Sequence, residues 1–76
     1  MNPQYEAAVG RNVRALREQA GLTQEQLSAR LQVRGCDITR SALAKIEVGQ
    51  RHLYPDEICA LREILSVPYE AIFKTE

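Results

Sequence analysis

Between Leu22 and Arg51 the chain reads LTQEQLSARLQVRGCDITRSALAKIEVGQR, and two helix-start signals inside this stretch constrain the fold most. The first is a capping box. In Thr23-Gln24-Glu25-Gln26 the Thr23 hydroxyl can accept from the Gln26 N–H, while the Gln26 side chain reaches back to the Thr23 N–H. Leu22 and Leu27 take the two positions of a hydrophobic staple. A helix is therefore expected to start at Thr23, with Leu27 and Leu31 facing inward. It can run as far as Val33 or Arg34, where Gly35 stops it. The second signal is Thr39, which can cap a helix over about Arg40 to Glu47. Leu43 and Ile46 are its buried pair, Ile38 packs just ahead of it, and Gly49 ends it.

The flanks also read as helices, and no strand-like alternation is sustained anywhere. A first helix is expected from Pro3 to Ala20, because Val9, Val13, Leu16 and Ala20 fall on one stripe. Gly21 suits its C-terminal cap, and Gly10 either weakens the helix or allows close packing there. A fourth helix starts at Pro55, with Asp56 and Glu57 at the positive end of its dipole and Ile58, Leu61 and Leu65 as its stripe. Ser66-Val67 breaks it, and Pro68 opens a short fifth helix containing Ala71, Ile72 and Phe73. The expected fold is a compact all-α domain of five short helices. Its second and third helices would form a helix-turn-helix, packed at a large angle.

Composition bounds the function. A chain of 76 residues is enough for one domain, taken as residues 1–76, and 45% hydrophobic with 26% charged is ordinary for a folded protein. No apolar run approaches the ~20 residues of a membrane helix. The N-terminus lacks the charged-then-apolar order of a signal peptide, so a cytoplasmic location is expected, with no membrane partner. Cys36, Cys59 and His52 fit no metal spacing, so no metal and no cofactor are expected, and both thiols read as reduced and either structural or incidental. Nothing pairs a nucleophile with a base, so an enzyme is not expected. Net charge is zero, yet residues 1–51 carry an excess of three positive charges and residues 52–76 the same excess of negative. That asymmetry suits one face meeting phosphates, although solvated helices are often mixed in sign.

The motif L-T-Q-E-Q-L-x-x-x-L, followed by T-R-S-x-L-x-K-I-E-x-G-x-R, resembles the XRE family of helix-turn-helix regulators, the lambda-repressor/Cro-like domain. The resemblance runs from about Val9 to Phe73 and departs from the family in two places. The link between the second and third helices is about five residues longer, holding Val33-Arg34-Gly35-Cys36-Asp37. Ser28 stands where the family has alanine; its hydroxyl is expected to bond back to the carbonyl one turn earlier.

The resemblance implies a transcriptional regulator of bacterial or phage type, nucleoid-associated, that binds a double-stranded DNA operator as a homodimer and acts as a repressor. Thr39, Arg40, Ser41 and Lys45, near the start of the third helix, would contact bases. The competing reading is a solvated face. Gln24 resembles the family's phosphate-contacting glutamine; Thr23 beside it is first a cap. Gln50 and Arg51 are placed to hold a phosphate, and Arg34 in the long turn is either a further clamp or a plain surface arginine. Arg17 and Glu47 match a pair that joins the first helix to the third. Tyr54, Tyr69, Ile72 and Phe73 are the expected dimer anchors. The alternative is a protein-interaction module of antitoxin or antirepressor type on the same fold, which the zero net charge leaves open.

Overall fold

The computed structural model describes residues 2–75. It holds five helices: α1 (Pro3–Gln19), α2 (Gln24–Val33), α3 (Arg40–Glu47), α4 (Pro55–Leu65) and α5 (Tyr69–Phe73). There is no strand among the described residues. The order and type match the sequence expectation, with small shifts at the ends. Pro68 caps α5 and does not begin it. Ala20 caps α1 and is exposed, so the inner stripe of α1 stops at Leu16 and Arg17.

Each boundary has a local cause. At α2 both halves of the capping box form: Gln26 N–H donates to Thr23 Oγ1 at 3.0 Å, and Thr23 N–H donates to Gln26 Oε1 at 2.9 Å. At α3 the Thr39 hydroxyl accepts from the Ala42 N–H at 3.1 Å. The exits of α1, α2 and α3 share one device. Past α2 the Cys36 N–H donates to the Leu31 carbonyl at 2.9 Å, and the Gly35 N–H to the Gln32 carbonyl at 3.0 Å. Gly35 takes a φ of 86° to allow this. α4 ends the same way without a glycine, with Ser66 at a φ of 54°.

The core gathers Val13, Leu27, Leu31, Ile38, Leu43, Ile46, Leu61 and Ile72, all essentially without solvent access. α1 packs on α3 and α5, while α2 packs on α3 and α4. α3 is thus held from two sides, which leaves its outer face to solvent. Its contact with α1 is close because Gly10 has no side chain. A Cβ there would lie 2.9 Å from the Glu47 carbonyl oxygen, and closer still to that of Ile46. Close approach, the second of the two readings of Gly10, is what the fold uses.

The lengthened link is ordered by the helix before it. Cys36 and Ile38 turn inward, at 7% and 0% exposure, and Asp37 faces solvent. The Ser28 hydroxyl donates to the Ile38 carbonyl at 2.6 Å, joined by the Gln32 amide at 3.3 Å. This corrects the expectation for Ser28. Its hydroxyl does not bond back within α2 but closes the link ahead of α3. A buried hydroxyl needs a partner, and the Ile38 carbonyl at the end of the link supplies one.

Two further contacts fix the ends. The Asn12 amide in α1 donates to the carbonyls of Ile72 and Lys74 at 2.8 and 2.6 Å, tying down α5. The Cys36 thiol lies 4.0 Å from the Asp56 carbonyl, and burial pushes its pKa up. Cys36 and Cys59 are both free thiols, Cys59 exposed on α4.

Candidate nucleic-acid interface

The N-termini of α2 and α3 open on one shallow cleft against α1, lined by Arg14, Arg17, Thr23, Gln24, Glu25 and Arg40. At its floor Arg17 Nε donates to Glu47 Oε2 at 2.7 Å and Nη2 to Oε1 at 3.1 Å. Arg17 Nη1 donates to the Leu22 carbonyl at 2.8 Å. Gln24 Nε2 completes the group by donating to Glu47 Oε1 at 3.0 Å. The two charges are 9% and 4% exposed. Glu47, as hydrogen-bond acceptor, pushes the Arg17 pKa up from its ordinary value, and burial opposes it. One carboxylate on α3 therefore takes donors from α1 and α2. What it does mechanically is set the position of α3 against both.

The outer face of α3 is different in kind. Arg40, Ser41 and Lys45 are exposed, and none of their side chains has a hydrogen-bond or ion-pair partner among the described residues. Gln50, just beyond, is exposed too. Thr39 is also exposed, but its hydroxyl is occupied as a cap. Of the residues expected at the interface, the structure brings Thr23, Gln24 and Arg40 into one cleft and sets Ser41 and Lys45 further along the same helix. The Gln24 side chain reaches that cleft with one amide hydrogen already given to Glu47.

Other expected site residues lie elsewhere. Arg51 is not open to a phosphate in this conformation: its Nη1 and Nη2 donate to Glu57 Oε1 and Oε2 at 3.0 and 3.1 Å. Glu57 also accepts from the Tyr54 N–H at 3.0 Å, capping α4. The Arg51 guanidinium, followed by that N–H, holds the Glu57 carboxyl below its usual range against desolvation. Arg34 donates to Glu63 at 2.9 Å beside a groove between α2 and α4, away from the cleft. Ile72 is fully buried within its own chain and so cannot anchor a partner, whereas Tyr54, Tyr69 and Phe73 are 53%, 42% and 46% exposed. Phe73 lines an apolar groove of about 220 Å³ with Tyr5, Val9 and His52.

The family model for a helix-turn-helix domain matches residues 10–76, which is most of the chain. The protein belongs to the helix-turn-helix domain family, in its XRE-like form. The helix-turn-helix is α2 and α3, joined by a link six residues long from Arg34 to Thr39. Among solved structures, the crystal structure of the DNA-binding domain of BldD is similar, with a TM-score of 0.81 and 23% identity. That match covers 97% of this chain and 100% of the other. At that identity the likeness is one of fold, and it places this helix-turn-helix chain in a lambda-repressor-like architecture. No curated protein matches the chain. No helix among the described residues is long and apolar enough to cross a membrane.

Sequence reasoning missed three contributors. Arg14 lines the cleft, but in the sequence it is only one more charged residue off the apolar stripe of α1. Glu57 signals a helix start in the sequence, and its position three residues after Tyr54 signals the cap but not the arginine it also holds. Asn12 carries no signal at all, because its partners are backbone carbonyls far along the chain.

Proposed function

We propose that this chain is a sequence-specific DNA-binding transcriptional regulator whose α3 enters the major groove. One observation carries the reading. The outer face of α3 presents Arg40, Ser41 and Lys45 together, exposed and without protein partners among the described residues, whereas Arg17 and Arg51 are held by buried carboxylates. Arginine and lysine there can donate to O6 and N7 of guanine, and Ser41 can donate or accept. Thr39 stands at the entry to that face. Thr23, Gln24 and Gln50 flank it, where side-chain amides and the first N–H groups of α2 suit phosphate oxygens. The family of the chain and the name of its structural neighbour, a DNA-binding domain, support the same reading.

In the finer form of the proposal, residues 1–76 act as one unit and dimerise through exposed Tyr54, Tyr69 and Phe73. They then read a pseudo-palindromic operator with half-sites one turn apart, roughly 34–36 Å, and repress by blocking polymerase, as a nucleoid-associated protein of bacterial or phage type. Selection from a random duplex library tests this. The expected result is an enriched two-fold-symmetric consensus, bound with a steep loss of affinity between ~50 and ~200 mM salt. No enrichment and no binding at low salt would overturn it. The zero net charge would then favour the protein-interaction module.

A further inference from the structure

We propose that Arg14 holds a phosphodiester of the DNA strand that passes α3, which makes α1 part of the interface; this rests on the DNA-binding reading above. Arg14 of α1 and Arg40 of α3 line one cleft together with Gln24 at the start of α2. Arg17 at the floor is already neutralised by Glu47. Two guanidiniums that share a concavity repel each other unless an anion sits with them. Arg40 belongs both to this cleft and to the α3 face proposed above to read the groove, so a strand contacted by that face would bring its backbone to the cleft.

Two acids stand near. Glu18 lies 3.6 Å from Arg14 Nε, one turn along α1, and the side chains are 61% and 56% exposed. An exposed pair of this kind contributes little and exchanges readily. A phosphate offers the same guanidinium two parallel, charge-assisted hydrogen bonds. Glu25 also lines the cleft and lowers its net charge. The phosphate is therefore held by directed bonds from Arg14 and not by the field of the cleft as a whole.

The test titrates the unsubstituted chain, Arg14→Gln, Glu18→Gln, Arg40→Ala and Arg30→Gln against a labelled random-sequence duplex over a salt series. Circular dichroism melts establish that each variant is folded. Arg14→Gln should lower the slope of log affinity against log salt by about 0.9, which is roughly eightfold weaker binding at ~0.1 M salt. The loss should be the same on any selected sequence. Glu18→Gln should bind roughly two- to threefold tighter, because Arg14 loses its competitor. Arg30, exposed beside the groove between α2 and α4 and away from the cleft, serves as the remote control and should leave the slope unchanged. A wild-type slope in Arg14→Gln, alongside weakened binding in Arg40→Ala, overturns this proposal and leaves the DNA-binding reading standing. An unsubstituted chain that retains no duplex at low salt overturns both.

Discussion

Gly10 of α1 lies directly against the main-chain carbonyl of Ile46 in α3, with no room for even a methyl group between the two helices. The neighbouring atoms are backbone, so they cannot rotate away. Gly10→Ala would gain about 1 kcal/mol of helix propensity. Overpacking typically costs about 1–3 kcal/mol, and more where the obstacle is rigid. We expect net destabilisation, read as a lower urea midpoint. A raised midpoint would mean that α1 and α3 separate freely.

Glu47→Ala removes the acceptor that Arg17 and Gln24 share. Breaking a buried pair from one side costs about 3–5 kcal/mol, because the remaining charge is stranded. In a domain of this size each kcal/mol moves Tm by about 4–8 °C. Arg17→Met with Glu47→Leu should recover most of the loss, since no unpaired charge is then left buried. If the double variant melts as low as Glu47→Ala, the pair matters for more than charge compensation.

Ser66→Gly should stabilise the fold. Ser66 holds a φ of 54°, a left-handed conformation that costs an L-residue about 1–2 kcal/mol. Glycine removes that strain but adds about 0.4–1 kcal/mol of unfolded-state entropy. The balance favours glycine by up to about 1.6 kcal/mol, and thermal melts would show it as a rise in Tm. A fall would mean that the hydroxyl contributes something the backbone geometry does not convey.

Stability should weaken in acid partly through Glu57. Its carboxyl is held below the ordinary value of 4.5 by Arg51 and the Tyr54 N–H. A group depressed in the folded state contributes fully above its unfolded value and loses that contribution as pH falls through the folded one. Urea midpoints should therefore drop as pH falls from about 4.5, and the drop should be shallower in Glu57→Gln. Identical pH profiles for the two proteins would mean that the Arg51 pair is not coupled to folding.

The helix boundaries are legible in the sequence because each is written locally, in Thr23, Thr39, Pro55 and the glycines that follow α1, α2 and α3. The candidate interface is only partly so. Arg17 and Glu47 lie 30 residues apart, and only the family resemblance connects them. The occupancy of Arg51 depends on how the segment after α3 folds back on the start of α4, which no spacing encodes. The fate of Ile72 and Phe73 shows a different limit. α5 has five residues, too few for periodicity to distinguish the buried neighbour from the exposed one.

The link from Arg34 to Thr39 adds residues to a helix-turn-helix without adding slack. Its Ile38 carbonyl is fastened to Ser28 and Gln32, and its inward side chains are part of the core. A loose connection of that length would have to be ordered whenever α3 met a groove, and the loss of freedom would be charged against affinity. Here that ordering is complete before any partner arrives. Association should therefore show little of the coupled-folding signature in heat capacity, and loosening the link through Ser28→Ala should weaken binding without altering a single contact to DNA.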